Sequence, residues 1–284
     1  MADSPSVTWE CGSFDAAATL LGGQCFRWIR QGDRLCGTAS GRYVEMKQDQ
    51  GRLTVFGAEK DEAERVWRVY LDLERDYDDI RRQVIALEPR LEPCAAFAGG
   101  IHILAQEPWE ALCAFVVSQN NNIPRIRGIV SQLCMRWGSP AIRGEQAAEE
   151  SLRYAFPTPD ALASATEAEL RACGCGYRAP YLKALAQMAA SGGVDFEAIR
   201  KAPIGEARER LRRLKGVGPK VAECALLYGF GRLECFPVDV WIRRALDSVL
   251  SGGTSLSDSP IAGVAQQYVF EYIRLHPEIA KPGD

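Results

Sequence analysis

Residues 211–246 contain a lysine and an aspartate whose types and spacing could support chemistry at a sugar carbon. Lys220 directly follows a glycine-containing turn, and Asp239 comes 19 positions later, at the predicted start of a helix. An unprotonated lysine amine can attack an anomeric carbon and form a Schiff base, from which β-elimination cleaves a DNA strand. A nearby carboxylate can stabilise the oxocarbenium character that develops as a base leaves. The pair therefore predicts scission of a glycosidic bond to a damaged base.

Each of these two residues also has an ordinary structural use. A lysine near a phosphate commonly acts as a point charge, and an aspartate at a helix start commonly caps that helix. For either residue alone the ordinary use is the more frequent one. Lys220 and Asp239 together, beside a turn that could grip DNA, favour catalysis.

The turn before Lys220 is typical of a helix-hairpin-helix, predicted over about residues 205–229. Gly216 and Gly218 flank one valine, and Pro219 suits the first turn of the following helix. Backbone amides at both glycines could approach a phosphate closely, at a helix N-terminus that favours negative charge. Such contacts position DNA without reading its sequence. An isolated Gly-Val-Gly would as readily be a plain connection between helices.

Four further motifs extend this pattern over most of the chain. They are GGQCFRW at 22–28, SQNNNIPRI at 118–126, GYRAPY at 176–181 and AGVAQQYVF at 262–270. With the hairpin, they closely resemble the 8-oxoguanine DNA glycosylase/lyase family of the helix-hairpin-helix superfamily. The resemblance implies excision of 8-oxoguanine from double-stranded DNA after the nucleotide is flipped out of the helix. It also implies that Lys220 is the nucleophile and Asp239 its electrostatic partner.

The resemblance further implies which residues read the base. In the family, the backbone carbonyl at the position of Gly23 accepts a hydrogen bond from a purine nitrogen that is protonated in 8-oxoguanine and bare in guanine. A normal guanine would leave two acceptors unpaired in a dry pocket, at a cost of roughly 1–3 kcal/mol. Gln266 would read the pairing edge, while Phe270 and Cys224 would sandwich the ring. Without the resemblance, Phe270 would be interpreted as an ordinary core aromatic.

The same resemblance also implies which residues fill the gap that base flipping leaves in the duplex. Asn120 would occupy the gap, and Tyr177 would wedge at the neighbouring base step. Arg125 and Arg178 would hydrogen-bond the orphaned cytosine, a task that suits the several donors of arginine. The commoner use of three consecutive asparagines is a polar loop with a helix cap.

Two positions depart from the family pattern. Trp241 stands where better-known members have a histidine that contacts phosphate, and we assign it to DNA binding at that position. Tyr228 stands where they have a smaller or flexible apolar residue near the pocket. These departures concern the phosphate contact and the shape of the pocket more than the catalytic pair.

Two other functions fit parts of the pattern. One is a glycosylase for another damaged base: many oxidised-pyrimidine members carry four cysteines for an iron–sulfur cluster after the aspartate, whereas here no cysteine follows Cys235. Alkylpurine members generally lack the lysine. The other is a non-catalytic helix-hairpin-helix protein that uses the turn only to anchor DNA, which would lose only modest salt-dependent affinity without Lys220.

Composition bounds the remaining possibilities. The chain has 284 residues, 47% of them apolar and 25% charged, which is enough for a sizeable core. It lacks a long apolar run and a signal-peptide pattern, so we expect an intracellular protein that does not work at a membrane. We also expect a monomer that works with DNA, in a nucleoid or nucleus. Ten scattered cysteines and only two histidines predict reduced thiols, no metal and no cofactor. The net charge of −3 still allows a basic face between Arg208 and Lys220.

The elements that must position these residues predict an α+β fold. Residues 12–57 have strand-like patterns, such as RLCGTA at 34–39, RYVEMKQ at 42–48 and RLTVFG at 52–57. They indicate an N-terminal antiparallel sheet domain with flanking helices over residues 1–99. A mostly helical domain containing the hairpin follows over 100–284, with the boundary placed at a double glycine. Its predicted helices are 108–119, 123–137, 159–172, 179–191, 205–214, 219–229, 239–250 and 260–274.

Overall fold

A five-stranded antiparallel sheet forms the amino-terminal part of the molecule. The structure, a computed structural model, describes residues 5–239, 242–244, 246, 250, 256 and 259–280. The strands are β1 (Ser6–Glu10), β2 (Trp28–Gln31), β3 (Arg34–Ala39), β4 (Arg42–Asp49) and β5 (Arg52–Phe56). Their order in the sheet is β1-β5-β4-β3-β2. The predicted sheet and its three quoted strands are confirmed, and β1 is an addition that the sequence pattern did not indicate.

The inner face of the sheet packs against the segment that follows it. Helix α2 (Lys60–Glu62) continues into a π-helical turn, Ala63–Arg68, which places Trp67 against Trp28 of β2. The two buried rings meet edge to face with centroids 6.2 Å apart, a favourable geometry for aromatic pairs. The indole nitrogen of Trp28 also donates a hydrogen bond to the Tyr70 hydroxyl, 2.9 Å away. This cluster fixes the start of β2 and so the loop that precedes it.

One helix interrupts the region predicted as strands. Helix α1 (Ala16–Leu21) begins after Asp15, whose side chain accepts a hydrogen bond from a backbone amide three residues on. The strand interpretation of residues 12–57 is therefore wrong over this segment. An aspartate cap before an alanine-rich run is a helix signal in its own right. The helix ends at the loop that carries Gly23.

The rest of the described chain is mainly helical, which confirms the α+β fold. The helices are α3 (Tyr77–Leu87), α4 (Glu92–Ala98), α5 (Pro108–Ser118), α6 (Ile123–Trp137), α7 (Pro159–Ser164), α8 (Glu167–Ala172), α9 (Ala179–Ala190), α10 (Phe196–Lys201), α11 (Ile204–Arg212), α12 (Pro219–Phe230) and α13 (Ala262–Leu275). Six predicted helices match α5, α6, α9, α11, α12 and α13 to within two residues at each end. Helix α10 was not predicted. Of the predicted helix at 239–250, Ile242 to Arg244 and Leu246 are helical, and most of the rest lies outside the described residues.

The predicted helix at 159–172 is wrong as a single element, because it consists of α7 and α8. The break comes at Thr166, whose hydroxyl accepts a hydrogen bond from the amide of Glu169, 3.2 Å away. The Glu169 carboxylate in turn accepts from the Thr166 amide at 2.8 Å, which completes a capping box. This reciprocal cap satisfies two backbone donors and so stabilises the start of a second helix at this point.

Helices α5 and α12 form the centre of the helical core. A Cβ at Gly229, near the end of α12, would lie 3.0 Å from Pro108 at the start of α5. At the other end, Lys220 in the first turn of α12 donates a hydrogen bond to Ser118 in the last turn of α5. The two helices are therefore antiparallel. Helix α4 packs against α13 within the same core, although it precedes the predicted domain boundary at Gly99 and Gly100. That boundary stays a prediction.

Three sequence expectations concern membrane spans, disulfides and metal sites. Within the described ranges no helix is both long and apolar enough to cross a bilayer. All ten cysteines belong to the described part, and none is paired in a disulfide. The described side chains also include no group of three or more histidine, cysteine, aspartate or glutamate residues arranged to hold a metal ion.

Candidate active site

Six predicted site residues that lie far apart in the sequence line one cavity of about 510 Å³. They are Gly23, Lys220, Cys224, Asp239, Gln266 and Phe270. The cavity lies where the end of α5, the start of α6, α12 and α13 meet the loop after α1. Lys220 and Asp239 thus share one cleft, as the predicted chemistry requires.

Lys220 occupies the first turn of α12 and is half-buried. Its Nζ donates a hydrogen bond to the Ser118 hydroxyl, 3.2 Å away, and lies 5.2 Å from the centroid of the Phe115 ring. Both partners belong to the last turn of α5, so the antiparallel packing of α5 on α12 sets the position of the amine. Cys224 and Tyr228 follow at intervals of four residues, so all three side chains lie on one face of α12.

Asp239 both caps a helix and faces the cavity. Its Oδ1 accepts a hydrogen bond from the backbone amide of Ile242, 2.8 Å away. Its backbone carbonyl accepts from the amide of Arg243 at 2.9 Å. The ordinary cap is therefore compatible with the predicted catalytic role, because the cap fixes the orientation of the carboxylate within the cavity lining.

Cys224 and Phe270 supply apolar surface to the cavity. Burial raises the pKa of the Cys224 thiol to about 11, although the nearby Lys220 opposes that shift. The sulfur is therefore a neutral thiol near pH 7 and behaves as a small apolar group. Phe270 is only partly buried and contributes its ring from α13. The two side chains can present faces to a planar ligand.

Gly23 and Gln266 carry the polar groups suited to base recognition. Gly23 has φ +92°, and a Cβ there would lie 2.8 Å from the Ile123 side chain, so no other residue fits without rearrangement. Gln266 is 4% exposed, and its Oε1 has no hydrogen-bond partner among the described residues. A buried amide oxygen without a donor costs roughly 1–3 kcal/mol. A ligand N–H group that reached it would remove that cost.

The helix-hairpin-helix is present as predicted, between α11 and α12. Gly216 has φ +84°, and a Cβ there would lie 2.5 Å from the Cβ of Tyr181. Gly218 caps α12 in an extended conformation, and a Cβ there would meet nothing within 4 Å. Gly216 is therefore required by the fold, whereas Gly218 faces open space. Its phosphate contact stays a prediction.

The three asparagines combine the two uses considered for them. Asn122 caps α6, since its Oδ1 accepts a hydrogen bond from the amide of Arg125, 3.0 Å away. Asn120 is exposed and has φ +45°. The Arg125 side chain is exposed on the first turn of α6. Asn120 and Arg125 are therefore accessible to a ligand outside the cavity.

Arg178 is placed differently from Arg125. It is only 3% exposed, and its Nε donates a hydrogen bond to the carbonyl oxygen of Gln119, 2.8 Å away. Its Nη2 also donates to the carbonyl oxygen of Asn120 at 3.0 Å. The exposed ring of Tyr177 covers this guanidinium, with the Cζ of Arg178 4.4 Å from its centroid. In this structure Arg178 supports the asparagine loop, and its contact with cytosine stays a prediction.

Comparison with known families bears directly on this cavity. Residues 7–112 match the family described as 8-oxoguanine DNA glycosylase, N-terminal domain, and residues 113–258 match the HhH-GPD superfamily base excision DNA repair protein. An N-glycosylase/DNA lyase of Arabidopsis thaliana is 30% identical over 270 residues, which are 89% of this chain and 72% of that protein. The chain belongs to the 8-oxoguanine DNA glycosylase/lyase family. The family predicted from the motifs is therefore confirmed.

Two further known proteins match this chain over different shares of its length. A probable N-glycosylase/DNA lyase of Methanothermobacter thermautotrophicus is 32% identical over 195 residues, which are 61% of this chain and 60% of that protein. The match thus spans less than two thirds of that relative. A crystal structure of the Clostridium acetobutylicum 8-oxoguanine glycosylase/lyase, in complex with DNA containing cytosine opposite 8-oxoguanine, has a TM-score of 0.88 and 32% identity. It covers 98% of this chain and 97% of that one.

Sequence reasoning missed several residues that build the site of this family member. Gln119 lies within a quoted motif, yet no role was assigned to it. Its side-chain amide donates a hydrogen bond to the carbonyl oxygen of Gly216, 3.0 Å away. Phe115 and Ser118, which contact the Lys220 amine, were also missed. Trp241, predicted to bind DNA, lies outside the described residues.

The charges near the hairpin are partly neutralised by ion pairs. Arg208 pairs with Glu223 on α12, and Arg210 pairs with Glu206 on its own helix. Lys220, Arg127 and Arg274 contribute cationic groups to the cavity lining. Arg274 is paired with the buried Glu271, its Nε 2.8 Å from Oε2. The predicted basic cluster is therefore less positive than its sequence suggests.

Proposed function

We propose that this protein excises 8-oxoguanine from double-stranded DNA and then nicks the strand through a Schiff base on Lys220. The observation that supports this most is the convergence of an amine, a carboxylate and an unpaired amide oxygen on one cavity. A non-catalytic hairpin protein would need none of these three groups in a common cleft. The protein would act as a monomer, with DNA inside the cell.

The glycosylase step would use the amine of Lys220 as the nucleophile. Its nitrogen bonds to C1′ of the deoxyribose as the C1′–N9 bond breaks, and the electron pair leaves with the base, which takes up a proton released from the amine. The carboxylate of Asp239 stabilises the positive charge that develops at C1′. Because that carboxylate is held by its helix cap, it needs little reorganisation during the reaction.

The lyase step would follow from the covalent intermediate. The C1′–O4′ bond breaks, O4′ takes a proton from solvent, and a protonated imine forms between Nζ of Lys220 and C1′. This imine withdraws electrons, so a base can remove a proton from C2′ and the C3′–oxygen bond breaks with departure of the phosphate. Water then hydrolyses the imine and releases the amine. The products are the free base and a nicked strand.

Recognition of the base would rest on the buried polar groups. The carbonyl of Gly23 would accept the hydrogen bond that 8-oxoguanine can donate and guanine cannot. Gln266 would pair with the base edge, and Cys224 and Phe270 would cover its two faces. We propose cytosine as the preferred opposite base, contacted by Arg125 and, after movement of its side chain, by Arg178.

Purified protein should be assayed with duplexes carrying 8-oxoguanine opposite each of the four bases, with and without alkali. We expect excision, strand nicking without alkali, and the fastest reaction opposite cytosine. Lys220→Gln should still bind the lesion duplex but lose both nicking and the covalent complex trapped by borohydride. Nicking by that variant at the wild-type rate would refute the role of Lys220. Efficient excision of a different damaged base, with none of 8-oxoguanine, would refute the substrate.

A further inference from the structure

An aromatic stack connects the nucleophile to helix α13. The rings of Phe115 and Tyr228 are nearly parallel, with centroids 5.2 Å apart and 19° between their planes. The Nζ of Lys220 lies 5.2 Å from the Phe115 centroid. Phe26 meets the same ring edge to face, at 5.8 Å and 69°. The ring that supports the amine is thus held from its face and from its edge.

The second ring of the stack is itself anchored. The Tyr228 hydroxyl donates a hydrogen bond to Oε1 of Gln267, 2.7 Å away, and both side chains are buried. Burial raises the pKa of Tyr228 well above its usual value, so the phenol stays a neutral donor. Because the hydroxyl is bonded to Gln267, Tyr228 lines the cavity with its ring. An apolar side chain at this position could not make this bond.

The Lys220 amine depends on the same turn of α5 for its second contact. Its hydrogen-bond acceptor is the Ser118 hydroxyl, which donates to the carbonyl oxygen of Phe115, 2.8 Å away. A lysine side chain has four rotatable bonds, so the position of its amine is set mainly by what the amine touches. Anything that fixes Phe115 therefore fixes the amine.

We propose that Tyr228 and Gln267 are positioning residues, which hold the Phe115 ring and so set where the Lys220 amine lies before it meets C1′. The inference rests on the proposed lysine chemistry but not on the identity of the excised base. It also separates two neighbouring glutamines on α13, with Gln266 facing the ligand and Gln267 supporting the nucleophile.

The test should use a duplex with a preformed abasic site, because such a probe reports on the amine while leaving the base pocket empty. We expect Tyr228→Leu and Phe115→Leu each to slow borohydride trapping about tenfold, since a small misplacement of a reacting group is costly. The double variant should be no slower than the slower single variant, because Tyr228 acts through Phe115. Tyr228→Phe and Gln267→Leu should each slow trapping about threefold, and together no further.

Tyr268→Phe provides the matched control. Tyr268 is buried on the same helix, and its hydroxyl has no hydrogen-bond partner among the described residues. Its removal should leave the trapping rate unchanged. Thermal unfolding of every variant would show whether lost stability, instead of lost positioning, explains a slow rate.

Measuring binding and chemistry separately distinguishes positioning from general damage. Tyr228→Leu and Phe115→Leu should lower the maximal trapping rate, while the DNA concentration that gives half of that rate stays within about twofold of the wild-type value. Tyr268→Phe should change neither quantity.

Three results would overturn the inference. One is normal trapping of abasic DNA by Tyr228→Leu with slow excision of 8-oxoguanine, which would make Tyr228 a wall of the base pocket. Another is full additivity of Tyr228→Leu and Phe115→Leu. A third is a wild-type protein that traps no abasic DNA, which would overturn the lysine chemistry as well. A wild-type protein that traps abasic DNA but leaves 8-oxoguanine in place would refute only the proposed base.

Discussion

The side-chain amide of Gln119 donates a hydrogen bond to the carbonyl oxygen of Gly216, 3.0 Å away. The same residue's backbone carbonyl accepts hydrogen bonds from Arg178 and from the Tyr177 hydroxyl, the latter at 3.2 Å. Two segments predicted to touch DNA, the hairpin turn and the asparagine loop, are thus joined through one residue. Their spacing must match the spacing of the DNA groups they contact.

Gln119→Leu should therefore weaken binding to lesion duplex by about fivefold, which corresponds to about 1 kcal/mol for a lost hydrogen bond. The salt dependence of binding should not change, because the variant removes no phosphate contact. Fluorescence anisotropy across a range of salt concentrations would measure both quantities. Lys215→Ala, which removes an exposed charge near the turn, is the contrasting control that should lower the salt slope if that charge meets phosphate. A reduced slope for Gln119→Leu would contradict this reasoning.

Cys224 should stay protonated throughout the working pH range. Since burial raises its pKa to about 11, the thiol form persists as pH rises and ionises only near that value. We expect iodoacetamide to modify it very slowly at pH 8, because the thiolate is the reactive form. Cys224→Ala should change the rate of excision but leave the shape of its pH profile between pH 6 and 9 intact. Rapid alkylation of Cys224, identified by mass spectrometry of the labelled peptide, would contradict the neutral thiol.

His102 should make the fold sensitive to mild acid. Burial lowers its pKa from 6.5 to about 4, although a hydrogen bond with the Leu71 carbonyl opposes that shift. In the unfolded chain the imidazole protonates near pH 6.5, whereas the folded protein resists protonation until about pH 4. The free energy of unfolding should therefore keep its full value above pH 6.5. It should fall by about 3 kcal/mol as the pH falls to 4, because over this range only the unfolded chain takes up the proton.

The variant His102→Phe tests this dependence, because it keeps a ring against Tyr77, whose centroid is 3.8 Å from that of His102. Denaturant unfolding of both proteins at pH 7 and pH 4.5 should show a smaller acid-induced loss of stability in the variant. Equal losses would mean that other groups carry the acid sensitivity.

The sequence predicted which residues line the cavity better than it predicted the contacts that support them. Lys220 and Asp239 were singled out because each belongs to a local motif. Gly23, Cys224, Gln266 and Phe270 were singled out because their motifs resemble a family. The bond from Gln119 to Gly216 joins residues 97 positions apart, and no periodic pattern records such a contact. The buried position of Arg178 also depends on tertiary packing. These supports could be seen only once the helices were assembled.

Two errors in the predicted fold, the single helix at 159–172 and the missing strand β1, have local causes. The capping box at Thr166 and Glu169 was legible in the sequence, but the apolar spacing across residues 159–172 favoured one continuous helix. Strand β1 has only one buried residue, Trp9, whereas β5 has the same length but alternates buried with less buried positions. Strand β1 therefore carries little of the apolar alternation by which a strand is predicted.

Substitution by alanine should lower the stability of the fold at Gly216 but affect DNA binding at Gly218. Gly216→Ala places a Cβ 2.5 Å from Tyr181 at φ +84°, so it should lower the free energy of unfolding by about 2 kcal/mol or more and lower the melting temperature. Gly218→Ala meets nothing within 4 Å at an ordinary φ of −86°, so the fold should keep its stability. If a phosphate approaches this turn, the added methyl group should instead weaken DNA binding by at least several-fold. Calorimetry would measure the stability of both variants, and fluorescence anisotropy would measure their binding to DNA. Unchanged DNA affinity of folded Gly218→Ala would show that the backbone does not approach the duplex at this residue.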